Sequence, residues 1–344
     1  MTQTLLDDVS PLGNIRAVVE ADKNACYFYL FGADDTDFGV RSVWVRNLKP
    51  APERFDVDTM ERGEPPLNPR AHCKSSAAGT LPNAEDLGVC WLPEGNCAAL
   101  IEGDVILAMI PPWSGQGGFN GYARDCIGQG PVAWEMPQDP TLQQRFQRAN
   151  EFWETWDDDS WPNIQDALTE SIERVLGKHS NYYAIDGGDW PPRAILRIPT
   201  TSGTALVTLG VSILPQPNLE TDNASQLRRI ELGAILPSTW SDAQVKQFAS
   251  YLSGQARLPW RAFTWLGPGH TIPCDDWAST KFTAALLQRE HPALPKSVTL
   301  PPQFGDPVHV LWFIPITEAE REYAISNGSS ALAATLPSSR WREG

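Results

Sequence analysis

The sequence predicts a mixed α+β fold in two parts: an aromatic, strand-rich N-terminal region, and a C-terminal domain whose mixed central sheet is flanked by helices. Three observations predict it. Short aromatic and β-branched runs separated by Pro- and Gly-bearing loops fill the chain to about residue 137. Two helical patterns follow, and strand and helix patterns then alternate to the end. A chain of 344 residues also fits two domains at roughly 100–200 residues each. The expected boundary lies near residue 160, giving parts 1–159 and 160–344.

In the first part CYFYLFG (26–32), RSVWVRNL (41–48) and LGVCWLP (87–93) read as strands. ALIEGDVILAMIPPW (99–113) reads as a hairpin turning at Glu102-Gly103-Asp104. Asp139-Pro140 is a helix start, with Asp as cap and Pro in the first turn. Leu142, Phe146, Ala149, Trp153 and Trp156 then recur at three- and four-residue steps as one apolar stripe. Asp157, Asp158 and Asp159 oppose the dipole at the end of that helix and suit the start of the next. The next begins near Trp161-Pro162, carries Ile164, Leu168, Ile172 and Leu176, and ends at Gly177.

In the second part RAILRIP (193–199), GTALVTLGVSIL (203–214) and RRIELGAILP (228–237) read as strands. Ser241 caps a helix bearing Val245, Phe248, Ala249 and Leu252. An Ala- and Leu-rich stretch, about 277–289, reads as a further helix. VHVLWFIPI (308–316) is apolar on both faces and belongs in the centre of a covered sheet. Thr317 and Glu320 form a capping box for a last helix that stops at Asn327-Gly328.

Composition limits function. The net charge of −15 repels nucleic acid and anionic lipid and steers basic partners toward the chain. No basic cluster marks a nucleic-acid footprint. The six cysteines contain no CxxC pair, so structural-zinc spacing is missing. The N-terminus has neither a basic region nor an apolar run of signal-peptide type, and no apolar stretch approaches the roughly 18 residues of a membrane span. A cytoplasmic protein with reduced thiols is expected.

Two stretches invite a chemical reading. WLGPGHTIPCDDW (265–277) holds His270, Cys274, Asp275 and Asp276. A metal needs three or four convergent ligands, and this loop offers three at most. A nucleophile pair needs Cys274 and His270 aimed at one point, which a tight turn with Pro273 between them disfavours. The structural expectation is that Gly267-Pro268-Gly269 turns the chain out of a strand, His270 bonds backbone inside the loop, and Asp275 or Asp276 caps the following helix. The second stretch, PPWSGQGGFNGYARDC (111–126), has the glycines of a phosphate loop but neither its lysine nor a helix after it. There Trp113, Phe119 and Tyr122 are candidate contact anchors, with core packing as the alternative fate. No GxSxG elbow occurs, and carboxylate pairs carry no information in so acidic a chain.

The order of TALVTLGVS (204–212), RRIELGAILP, a short helix, WLGPGHTIPCD (265–275), and a strand followed by PITEAEREYAISNGSSAL (315–332) resembles the Suppressor of fused domain over roughly residues 160–340. Its most specific parts are Glu231-Leu232, Gly269-His270-Thr271 and the helix ending in Asn327-Gly328. The resemblance implies a mixed α/β domain that binds proteins and has no enzymatic activity. It implies that animal members sequester a transcription factor, partly by clasping an extended peptide, and that bacterial members serve as immunity proteins against secreted polymorphic toxins. Animal members carry the domain near the N-terminus, whereas an aromatic β-rich region comes first here, so their peptide-binding residues are not carried over.

The expectation is therefore a non-enzymatic immunity protein that covers a basic toxin domain encoded nearby, with no cofactor and no metal. The partner-facing residues would be Trp113, Phe119, Tyr122, Asp157, Asp158 and Asp159, and Gly269, His270 and Asp275 would shape a structural loop. Two alternatives stand beside it: a hydrolase or metal-dependent enzyme using His270, Cys274 and Asp275, and a regulatory adaptor with an endogenous partner.

Overall fold

The fold is described from a computed structural model covering residues 2–138, 140–217, 219, 223–294 and 296–344. The chain forms two compact units: Met1–Trp156 with Trp260–Phe263, and Asp157–Pro259 with Thr264–Gly344. The mixed α+β expectation holds, with a strand-rich first unit and a helix-flanked sheet in the second.

In the first unit β1 (Gln3–Val9), β2 (Ile15–Ala21), β3 (Ala25–Gly32) and β4 (Val40–Asn47) form an antiparallel sheet in sequence order. The two-residue period of β3 sorts its side chains cleanly. Cys26, Phe28 and Leu30 are fully buried, while Tyr27, Tyr29 and Phe31 stack along the other face at 6.0 and 5.9 Å. A short helix α1 (Val57–Glu61) is capped by Asp56.

A second sheet follows: β5 (Leu87–Trp91), β6 (Ala98–Glu102), β7 (Val105–Ile110), β8 (Tyr122–Ala123) and β9 (Trp134–Glu135), again in sequence order. The expected hairpin joins β6 to β7, Glu102 opposite Val105, with Gly103 supplying the positive φ of +56° that the turn requires. The core lies between the two sheets, where Phe28, Leu30, Val43 and Trp44 meet Leu100, Leu107 and Ile110. On the outer face of the second sheet Phe146 and Ala149 of α2 (Pro140–Glu154) pack against Cys90, Ala99 and Met109. The expected cap Asp139 lies outside the described residues, as does the side chain of the stripe residue Leu142.

The second unit opens with α3 (Ser160–Leu176) and β10 (Asn181–Ala184), β11 (Ala194–Thr200), β12 (Gly203–Leu209) and β13 (Arg229–Pro237). Then come α4 (Asp242–Gln255), the short α5 (Leu258–Arg261), whose last two residues belong to the first unit, β14 (Thr271–Pro273), β15 (Ala284–Gln288), β16 (Val308–Ile316), α6 (Glu318–Asn327) and α7 (Ser329–Thr335). The strand order is β10-β11-β12-β13-β16-β15-β14, and the central β13–β16 pair is parallel. Every residue of β13 is buried, and β16 runs buried almost throughout, as central strands covered on both faces should be. Leu168, Ile172 and Leu176 of α3 cover one face over Leu196, Val207, Val310 and Trp312. On the other face Phe248 of α4 meets Trp277 and Phe313 at 4.7 and 6.4 Å. The expected capping box forms at Thr317 with Glu320, and the expected cap Ser241 proves to be half of a second box with Gln244.

Three expectations are corrected. The helix expected over 277–289 is a turn followed by β15. Ala284, Ala285, Leu286 and Leu287 are all buried beside β16, and a short run that is apolar on every side has no period to separate helix from strand. Asp275 and Asp276 consequently cap no helix. The strand expected over 203–214 ends at Leu209, because Gly210 at φ +89° turns the chain into a 3-10 turn at Val211–Ile213. In addition, the structure adds β1 and β2, which the sequence reading leaves out; QTLLDDV of β1 places two carboxylates inside a strand, where Asp7 pairs with Arg16.

Candidate functional site

The loop between β7 and β8 brings Trp113, Phe119 and Tyr122 into one segment but gives them different fates. Trp113 is 39% exposed. Phe119 is only 5% exposed and packs against Tyr122 at 4.9 Å and Trp134 at 4.7 Å. Tyr122 is half-buried on β8. The loop is ordered by its own bonds. Gly115 N donates to Phe119 O at 2.7 Å, Ser114 Oγ donates to Asn120 O, and Arg41 Nη1 donates to Pro112 O at 2.8 Å. Gly121 admits the close approach of β7, since a Cβ there would stand 2.5 Å from Met109 O. Of the three aromatics, Trp113 therefore presents the most surface, on a loop whose shape is already fixed.

Asp157, Asp158 and Asp159 are all exposed in the second unit, leading into α3. Asp157 accepts from Ser160 Oγ at 2.6 Å and from Asp159 N at 3.2 Å, and the Ser160 bond holds its carboxyl below the usual carboxylate range.

The histidine turn is tied to the sheet. Gly269 N donates to Leu287 O at 2.7 Å, and Leu287 N donates to His270 O at 2.8 Å, which extends the β14–β15 ladder by one step. Gly269 has φ +90°, and a Cβ there would lie 2.4 Å from Ser329 Oγ, so only glycine fits. The His270 ring lies 4.3 Å from the Trp265 ring and bonds Trp265 backbone; burial pushes its pKa down. Cys274 is 1% exposed beside the Tyr251 hydroxyl, and burial pushes its thiol up to about 12. Asp275 is exposed, and Asp276 accepts from Gln247 Nε2 at 2.9 Å. Among the described residues no group of three or more His, Cys, Asp or Glu is placed to hold a metal ion. Trp265, His270, Ile272, Ile325 and Ser329 instead line an open groove of about 540 Å³, with Ile325 69% exposed on its wall.

One residue of chemical interest carried no assigned role in the sequence reading. Glu231, fully buried on β13, accepts from Thr208 Oγ1 at 2.6 Å, Gly210 N at 3.0 Å, Ser212 N at 3.1 Å and Ser212 Oγ at 2.7 Å. Burial pushes its carboxyl up to about 7, working against these four bonds, which favour the anion. Next to it, Arg229 donates to Ser212 O at 2.9 Å and Ile213 O at 2.5 Å, and pairs with Asp306 at 3.2 Å. The network pins the turn after β12 to the sheet centre. Its signal in the sequence is a lone carboxylate within an apolar strand, with Thr208 and Ser212 bracketing a glycine in the preceding one.

No helix among the described residues is long and apolar enough to cross a membrane. No curated protein matches the chain. Among solved structures, a chain of the Sufu-Fu complex crystal structure is 15% identical with a TM-score of 0.35, the match covering 51% of this chain and 82% of that one. Drosophila Suppressor of fused is 11% identical with a TM-score of 0.33, covering 50% of this chain and 46% of that one, about half its length. The family model for Suppressor of fused protein matches residues 189–341, from the loop before β11 to the C-terminal turn. Over those residues the chain carries a Suppressor of fused family match, inside the part of the sequence that bears the resemblance.

Proposed function

We propose that this chain is a non-catalytic protein-binding protein of the cytoplasm, acting as an immunity protein that covers a basic toxin domain encoded nearby. The observation that carries the reading is Trp113: a large aromatic, 39% exposed, on a loop already ordered by its own hydrogen bonds. A rigid aromatic anchor loses little entropy on contact and can fill a pocket from which water is excluded. The net charge of −15 supplies attraction at a distance, raising the association rate with a cationic partner and disfavouring anionic ones. The exposed Asp157, Asp158 and Asp159 add to that field. The seven-stranded sheet ends in β10 and β14, and such terminal strands offer backbone groups to an added strand.

The family match supports the reading, since the resemblance implies work by binding. The hydrolase or metal-enzyme reading has less behind it. A nucleophile must be reachable and ionisable, and Cys274 is neither exposed nor low in pKa.

The test is a pull-down of the products of neighbouring genes with the purified chain, followed by a protection assay in cells expressing the captured toxin domain. Stoichiometric capture with protection is expected. Capture of none of them, or turnover of a substrate by the chain that is lost in His270→Ala or Cys274→Ala while folding is kept, would overturn the proposal.

A further inference from the structure

Cys73 and Cys126 stand directly opposite one another in an isolated antiparallel bridge. Lys74 N donates to Asp125 O at 2.9 Å, and Ile127 N donates to His72 O at 3.1 Å, so the bonds flank the cysteine pair on both sides. That pattern defines a non-hydrogen-bonded pair, in which the Cα atoms approach to about 4.5 Å and both side chains leave the same face. A disulfide needs Cα atoms roughly 4.4–6.8 Å apart. Both sulfurs also meet one residue. Cys73 Sγ donates to Asn68 O at 3.3 Å, and Asn68 Nδ2 donates to Cys126 Sγ at 3.8 Å. Other cysteines have different opposites: Cys26 faces Arg46 and Cys90 faces Ala99.

We infer that Cys73 and Cys126 form a reversible dithiol–disulfide pair, closed by a low-molecular-weight disulfide such as oxidised glutathione and reopened by thiols. Cys73, 8% exposed, attacks first; Cys126 is wholly buried. The Cys73 thiolate displaces one glutathione as its thiol and leaves a Cys73–glutathione mixed disulfide. The Cys126 thiolate then attacks Cys73 Sγ and displaces the second glutathione. In sum two protein thiols and one oxidised glutathione become one protein disulfide and two reduced glutathiones. Burial pushes the Cys73 thiol up to about 11 and that of Cys126 up as well, so thiolate is scarce and closure is slow at neutral pH.

The bond would lock His72–Lys74 to Asp125–Ile127, just beyond β8, the strand into which the loop that carries Trp113 runs. Only that consequence rests on the proposed binding role; closure itself can be read without any partner.

The wild-type chain is equilibrated with oxidised glutathione at mildly alkaline pH until its thiol count is constant, then alkylated, digested and mapped by mass spectrometry. The expected result is one Cys73–Cys126 cross-linked peptide, with free thiols falling from six to four as that pair closes, and full reversal by dithiothreitol. Cys126→Ala is expected to trap Cys73 as the glutathione adduct. Recovery of Cys73 and Cys126 as separate alkylated or glutathionylated peptides from the equilibrated wild type, or their linkage to other cysteines, would overturn the inference.

Discussion

Thr208 Oγ1 donates to the buried carboxyl of Glu231 at 2.6 Å and accepts from Leu232 N at 2.7 Å, so one hydroxyl bridges the acid to the backbone of its own strand. Glu231 is thereby the acceptor hub of the sheet centre. Replacing it by Ala strands four donors and is expected to cost about 3 kcal/mol, read as a lower urea midpoint with unchanged slope.

The raised pKa of Glu231 also sets a direction with pH. From its ordinary value of 4.5 up to about 7 the folded chain holds a proton there that the unfolded chain has released. The folded state then binds more protons, so this group's contribution falls as pH rises through that window, by at most about 1.4 kcal/mol per pH unit. Glu231→Gln removes the slope, and the stability difference between wild type and variant, followed by urea unfolding across the window, isolates it.

His291 acts in the opposite sense. It lies 5.5 Å from the Trp312 ring and 5.8 Å from the Trp341 ring, its Nδ1 accepts from Ala293 N at 3.1 Å, and burial pushes it down to about 3. Below 6.5 the unfolded chain takes up a proton that the folded one refuses, so stability is lost as pH falls from there toward about 3. His291→Phe is expected to lack this acid sensitivity, its stability rising relative to wild type on acidification in thermal melts.

Trp113 and Phe119 separate binding from packing. Phe119→Ala empties a site between Tyr122 and Trp134 and is expected to cost about 3 kcal/mol of stability. Trp113→Ala should change stability by no more than about 0.5 kcal/mol. It should weaken partner binding by about 2 kcal/mol, a factor of roughly 30, as calorimetry would show.

Gly269→Ala combines a left-handed φ of +90° with a contact of 2.4 Å to Ser329 Oγ. It is expected to cost about 1–3 kcal/mol in thermal or urea unfolding, while Gly254→Ala, whose Cβ meets nothing within 4 Å, should be neutral or stabilising.

What the sequence discloses follows from how each feature is encoded. β13 announces itself by the alternation of Ile230, Leu232, Ala234 and Leu236, β16 by being apolar on both faces as a covered central strand must be, and the caps at Ser241 and Thr317 because capping is local chemistry. β15 was hidden because AALLQ suits a helix as well as a strand, and only its pairing with β16 decides. The candidate site was partly legible: the loop of Trp113 stands out by its aromatics and glycines, but which ring is buried depends on Trp134, a contact distant in sequence. The Glu231 hub and the opposition of Cys73 to Cys126 depend on register across segments far apart in sequence, which no local pattern records.

The central claim is that this molecule acts by covering a cationic protein. Its most direct measurement is the association rate with the captured toxin domain across a series of salt concentrations, with Trp113→Ala beside the wild type. The account predicts a one-to-one complex whose association rate falls steeply with salt and whose dissociation quickens in the variant. A rate indifferent to salt together with unchanged dissociation in Trp113→Ala would contradict it.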